Sequence, residues 1–269
     1  MDCIHKIVVF DLDETLGYFV ELGMFWDSLK QYFKYINNPY QLKQEDFNLL
    51  LDLFPEFQRP NIFKILHYLK KKKQLDACDR IMIYTNNQGH KSWAEYIKTY
   101  YELKLKYNLF DQIIAAFKVN GKIVEICRST HSKTYTDLIK CSKIPENTQI
   151  CFLDDVFYPE MSNENVYYIN IKPYIHHIPF ETMLDRFCES GLLRLEIKDT
   201  KVFKEYVLNM LNSFYYDETN KTSQELSIDK ILTKKILQHL ETFFNAAPNK
   251  NYTRRRNKIN PKNITRKNK

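Results

Sequence analysis

The sequence predicts an α/β fold, a doubly wound parallel sheet, on three observations. Four short apolar runs have strand character, helical patterns lie between them, and three of the runs end abruptly in acids, hydroxyls or amides. Strands buried on both faces read as continuous β-branched or aromatic runs. Strands alternating with helices pair in parallel through helical crossovers. Of the 269 residues 44% are hydrophobic, with 18 Phe and 19 Tyr, which is enough to build a sizeable core.

The four runs are residues 7–10 (IVVF), 81–84 (IMIY), 150–153 and 166–171 (VYYINI), and DQIIAAF at 111–117 is a fifth candidate. Helices are expected over 61–74, 91–106 and 132–141. Pro60 suits a first helical turn, and Ser132 is placed to cap a helix that starts at Lys133. GYFVELGMF (17–25) reads as a short hairpin, followed by helical spacing at 26–36 and 45–54, so that about 17–58 form a small insert. Three amphipathic helices are expected at 180–190, 200–216 and 225–246. The resulting division is a main domain over 1–190, a helical extension over 191–246, and a basic, disordered tail over 247–269 that lacks the apolar residues needed for a core.

The formal charge of +7 is concentrated at one end. Residues 250–269 hold nine of the 40 Lys and Arg and no acid, leaving the rest of the chain two charges negative. Such a tail suits non-specific contact with nucleic acid or reading as a nuclear import signal. The six cysteines form no CxxC pair, so they are expected to be reduced thiols of an intracellular protein, in the cytoplasm or nucleus. No run approaches the length of a membrane span, and no secretory leader is visible. None of the five glycines stands in GxGxxG or GxxxxGK[ST] spacing, which excludes a dinucleotide fingerprint and a P-loop.

Chemistry converges after the strands. The first runs into Asp11-Leu12-Asp13-Glu14-Thr15, the second into Thr85-Asn86-Asn87, and the third into Asp154-Asp155. In an open parallel sheet the carboxyl ends of the strands share one edge, where ligands bind. Extended backbone after Phe10 aims Asp11 and Asp13 to one side and Leu12 to the other. Crowded carboxylates repel one another unless a cation or proton holds them. Acids without His or Cys favour a hard, oxygen-loving divalent ion, for which Mg²⁺ is the natural candidate.

D-x-D-x-T after a first strand, Thr after a second, a Lys opening a later helix and Asp-Asp after another strand together resemble the four motifs of the haloacid dehalogenase superfamily. DLDETL, with Arg59-Pro60 further on, looks like the branch of RNA polymerase carboxy-terminal-domain phosphatases and NLI-interacting-factor-like phosphatases. The likeness covers roughly residues 4–190 and implies a Rossmann-like phosphatase domain. It makes Asp11 the nucleophile that forms an aspartyl-phosphate and Asp13 the general acid and then base. It assigns phosphate binding to Thr85, Asn86 and Lys133, and a loop-holding role to Thr15. Mg²⁺ would lie among Asp11, Asp13 (through its main-chain carbonyl), Asp154 and Asp155.

The implied substrate is phosphoserine or phosphothreonine in protein. Two departures from that branch open alternatives. Thr85-Asn86-Asn87-Gln88-Gly89 is closer to the Thr-Asn-Gln-x-Gly of DNA 3′-phosphatases and small-sugar phosphatases, with one Asn extra. The insert is helical where the branch carries three strands. A nucleic-acid 3′-end phosphatase is therefore a second reading, and a partner-binding module on an inactive fold a third. Lys133 has a competing structural role, an ion pair with Asp137 one turn on. His176-His177 read as structural or surface residues, and Cys127 and Cys151 as small hydrophobes.

Overall fold

The computed structural model describes residues 5–89, 92–214 and 221–246. It is an α/β structure built on a five-stranded parallel sheet. In chain order the elements are β1 (Lys6–Phe10), α1 (Val20–Tyr35), α2 (Gln44–Leu53), α3 (Ile62–Gln74), β2 (Arg80–Tyr84), α4 (Ser92–Leu105), β3 (Gln112–Ile114), β4 (Lys118–Val119), β5 (Lys122–Ile123), α5 (Tyr135–Ser142), β6 (Gln149–Asp154), β7 (Val166–Asn170), α6 (Phe180–Ser190), α7 (Thr200–Asn212) and α8 (Ser223–Asn245). The strand order is β3-β2-β1-β6-β7, and β4 and β5 make a separate antiparallel ribbon.

From β1 the chain winds outward through β2 to β3, then returns to the other side of β1 as β6 and β7. The winding direction reverses between β1 and β6, and there the connections leave a crevice at the carboxyl edge. Side chains alternate across the sheet. Val8, Phe10, Ile81, Ile83, Cys151 and Leu153 enter a large core shared with helices α1–α4 and α6–α8. Ile7, Val9, Met82, Tyr84, Ile150 and Phe152 enter a smaller one closed by Leu138 of α5 and Met161. Burying each such side chain contributes roughly 1.5–3 kcal/mol, so the central strands are fixed from both faces.

The helices that follow β7 complete the large core. Phe203, Val207 and Leu211 of α7 and Ile236, Leu240 and Phe243 of α8 belong to the same cluster as β1. Lys6 of β1 donates from Nζ to the carbonyls of Phe243, Phe244 and Ala246 at 3.0, 3.2 and 3.0 Å, supplying a cation to the end of α8.

Several local expectations are corrected. Residues 17–25 form no hairpin, because α1 begins at Val20. Leu22, Phe25, Trp26, Leu29, Tyr32 and Phe33 are all buried and continue one helical stripe, which outweighs the β-preference of the first few residues. Pro60 lies ahead of α3, whose N-cap is Asn61 in the left-handed region at φ 61°. Ser132 caps nothing: α5 starts at Tyr135, and the Thr134 side chain accepts from the Asp137 amide at 3.0 Å. Lys133 is consequently a loop residue. The 111–117 strand shortens to Gln112–Ile114, and the β4–β5 ribbon that follows was not anticipated.

The cysteines are not all free. Cys127 and Cys141 form a disulfide across a sequence separation of 14, because the loop after β5 folds back onto the last turn of α5. Among the described residues Cys78, Cys151 and Cys188 are free. No described helix is long and apolar enough to cross a membrane. The basic tail, with its expected disorder and nucleic-acid contact, lies outside the described residues.

Candidate active site

The site begins with the hydrogen bonding of the sheet. The Asp11 amide donates to Leu153 O at 2.8 Å, extending the β1–β6 ladder one residue past Phe10. Leu12 and Leu16 are fully buried anchors under the loop, which leaves the acids between them facing outward. Glu14 adopts φ 57°, and its amide donates to Gly17 O at 2.7 Å, closing a tight turn. Gly17 is required by a close approach: a Cβ there would lie 2.4 Å from Phe57 O.

Arg59 holds this loop from below. Its side chain is 1% exposed and donates to Thr15 O at 2.6 Å, Glu14 O at 2.5 Å and Lys172 O at 3.0 Å. One guanidinium therefore ties the acidic loop to the segment after β7. Nothing in the composition of the sequence marked this role. The signal available was an Arg directly before Pro60, far along the chain from the Asp11–Thr15 loop that it holds.

Around Asp11 the strand ends bring together groups far apart in sequence. Lys133 Nζ donates to Asp11 Oδ1 and, at 2.7 Å, to Asp154 Oδ2. The lysine is 1% exposed, so the ammonium sits within a nearly dry cluster. Burial alone would drive off its proton, but attraction by Asp11 and Asp154 outweighs that and raises its pKa above the ordinary lysine range. The alternative pair with Asp137 is absent: Asp137 accepts instead from Ser129 N and Oγ at 2.9 and 2.8 Å.

Asp154 also accepts from the Val156 amide at 2.8 Å, and Thr15 Oγ1 donates to Asp155 Oδ1 at 3.1 Å. Asp11, Asp154 and Asp155 each present an oxygen within 4.8 Å of the other two. Burial raises the pKa of Asp155, and the Asp11 charge adds to it; burial raises Glu14 too, with Asp155 adding to it. One ammonium thus faces an excess of carboxylate charge. An all-oxygen, anionic donor set of this kind fits a hard divalent cation such as Mg²⁺. The Asp13 carboxylate is placed differently, facing Asn87 instead of the trio.

Asn87 Nδ2 donates to Asp13 Oδ2 at 2.7 Å, while Asn87 Oδ1 accepts from the Gly89 amide at 2.8 Å. The Asn87 amide donates to Thr85 Oγ1 at 3.0 Å. Asn86, expected at the phosphate, donates to the Tyr158 hydroxyl at 3.0 Å instead. Asn87, which no motif in the sequence distinguishes from Asn86, is the residue that meets Asp13. Successive residues after a strand face opposite sides, and only the fold decides which faces Asp13. His177 is structural: its Nδ1 meets Glu21 Oε1 at 2.5 Å, and Glu21 also accepts from the Ile178 amide at 2.9 Å.

Asp13 has its pKa pushed up from 3.8 to about 7, first by burial and then by the Asp11 charge, with the Asn87 hydrogen bond pulling the other way. The unfolded carboxyl releases its proton near 3.8 and the folded one near 7, so the folded state binds more protons in that window. Its contribution to stability is therefore full below the lower value and is lost as pH rises through the upper one. In excess chelator, the melting temperature is expected to fall between about pH 4 and pH 7. Asp13→Asn is expected to flatten part of that fall and to melt higher than the parent at pH 8. A steeper fall in the variant would contradict the assigned titration.

No protein-family model, curated protein or solved structure matches the chain.

Proposed function

We propose that the chain is a phosphoric monoester hydrolase of the haloacid dehalogenase type, acting through an aspartyl-phosphate and directed at phosphoserine or phosphothreonine in protein. The observation that carries this reading is the placement of Asp11 at the switch point of the sheet. There it contacts Lys133 and lies within ligand distance of Asp154 and Asp155, with Asp13 two residues on.

In this reading the Asp11 carboxylate attacks phosphorus and the ester oxygen departs. Asp13, whose pKa of about 7 keeps a large share of it protonated at neutrality, delivers the proton to that oxygen. Once deprotonated, it takes a proton from the water that hydrolyses the acyl phosphate. Asn87 holds Asp13 in position, and the Thr85 hydroxyl and Lys133 ammonium hold the phosphoryl oxygens. Mg²⁺ bound by Asp11, Asp154 and Asp155 would reduce the repulsion between an anionic nucleophile and an anionic substrate. That repulsion is about 4 kcal/mol per charge pair at 4 Å in an intermediate dielectric.

Access supports a polypeptide substrate. Asp13 and Asn87 line one wall of an open cleft of about 280 Å³, whose other walls include Phe19, Trp26, Trp93 and Tyr96. In this reading a peptide would lie in that cleft, beside Asp13.

The test is phosphate release from phosphoserine and phosphothreonine peptides beside 3′-phosphorylated DNA. Mg²⁺ should support turnover, excess chelator should abolish it, and Ca²⁺ should inhibit through its larger, looser shell. Full activity after exhaustive chelation refutes the mechanism, and preference for the DNA transfers the substrate assignment to nucleic-acid ends.

A further inference from the structure

Arg128 is 2% exposed and, among the described residues, its side chain hydrogen-bonds to none of the site acids, yet it lies at the junction of the segments that carry Thr85 and Lys133. Its Nη1 donates to Thr85 O at 3.1 Å and to Ala115 O at 2.9 Å. Its Nη2 donates to His131 O at 3.1 Å and to Ser132 O at 3.2 Å. The first pair of carbonyls belongs to the ends of β2 and β3, and the second immediately precedes Lys133. The Tyr84 ring lies 4.8 Å from the guanidinium and 5.8 Å from Lys133 Nζ, so both cations rest on one aromatic side chain.

A guanidinium suits this position because its planar fork presents several donors in fixed directions. A lysine has three donors on one atom and cannot span carbonyls from three segments. The backbone around Arg128 is itself held. Ser129 is bonded to Asp137 of α5, and Cys127 is joined to Cys141 at the far end of that helix. The loop between β5 and α5 is thereby fastened on both sides of Arg128.

We propose that Arg128 is a positioning residue: it sets the spacing between Thr85 and Lys133 and so determines how tightly the phosphoryl group is held. The proposal rests on the phosphatase reading above. Thr85 reaches the site from the end of β2 and Lys133 from a loop, and no hydrogen bond joins the two side chains among the described residues. Their spacing is transmitted through the carbonyls that Arg128 gathers. A displacement of about 1 Å in a positioning group costs on the order of 10²-fold in rate.

The experiment compares the full chain with Arg128→Lys, Arg128→Gln, Lys133→Met and the Arg128→Lys/Lys133→Met double variant, in Mg²⁺. The readouts are kcat and KM for 4-nitrophenyl phosphate, the affinity for orthophosphate by calorimetry, and the melting temperature. Arg128→Lys is expected to fold and to lose roughly 10- to 100-fold in kcat/KM. A matching fall in orthophosphate affinity is expected, with little further loss when Arg128→Lys is added to Lys133→Met. Arg128→Gln, whose two donors share one nitrogen and whose amide oxygen can only accept, should lose at least as much as Arg128→Lys.

An unchanged KM and orthophosphate affinity in Arg128→Lys overturns the proposal while leaving the phosphatase reading intact. Losses that multiply in the double variant also overturn it, since they place Arg128 outside the Lys133 pathway. Failure of both Arg128 variants to fold, under conditions where Lys133→Met folds, assigns the residue to stability alone. Absence of turnover in the parent chain overturns the phosphatase reading, and this proposal with it.

Discussion

Asp11→Asn is expected to eliminate turnover of an aryl phosphate while the protein stays folded. The amide is nearly isosteric but a poor nucleophile, and removing a covalent nucleophile or its partner typically costs on the order of 10⁴- to 10⁶-fold. The fold tolerates the change because Asp11 lies among Asp13, Asp154 and Asp155, whose mutual repulsion falls when one charge is removed. Lys133 retains its bond to Asp154, so its ammonium is not stranded. The check is a paired measurement of 4-nitrophenyl phosphate hydrolysis and thermal melting. A hydroxylamine-labile phosphoryl adduct should form on the parent chain and be absent from the variant. Retention of more than a few per cent of the parent rate with an unchanged melt would remove Asp11 from the chemistry.

Lys133→Met should instead damage both activity and folding. The lysine is 1% exposed and is the side-chain ion-pair partner of both Asp11 and Asp154. Deleting one partner of a buried pair costs roughly 3–5 kcal/mol, because the remaining charges keep their desolvation penalty. The remaining carboxylates can relieve that penalty by taking up protons. Burial already raises the pKa of Asp154, with Lys133 opposing, and removing the lysine moves it higher still. The variant should therefore lose most stability at pH 8 and less at pH 5. Urea unfolding of both proteins at the two pH values in chelator tests this, and equal stability at pH 8 would show that the ion pair contributes nothing net.

The distinction between these variants follows from what each side chain leaves behind. Asp11→Asn relieves a crowded negative field, whereas Lys133→Met exposes it. Arg59, beneath the same loop, belongs with the second kind, since its removal would leave the carbonyls of Thr15 and Lys172 without this donor and Glu14 O with the Tyr174 amide alone. All three stand in the motifs quoted from the sequence, and only their partners in the fold separate them.

Much of the architecture was legible along the chain because buried parallel strands leave a local record. IVVF, IMIY and the run before Asp154 are apolar on both faces, and each stops where the chain emerges at the carboxyl edge. Asp11, Thr85 and Asp154 could be read as neighbours because parallel strands bring their carboxyl ends to one side. The helices after residue 180 were equally visible in their apolar spacing. The hairpin expected at 17–25 failed because strand propensity in a few residues is weaker than the stripe that α1 buries along its length.

Sequence by itself thus determined the fold class, the acidic residues at the strand ends and the all-oxygen character of the cluster, since each is written in consecutive residues. Only the tertiary structure decided that Lys133 meets Asp11 and Asp154 instead of Asp137, and that Asn87, not Asn86, holds Asp13. It also decided that Arg59 and Arg128 gather carbonyls under the site, and that Cys127 reaches Cys141. The physical reason is the same in each case: a long side chain or a folded loop chooses among several partners of equal chemistry. That choice is made by distance and direction, which exist only once the strands have been laid side by side.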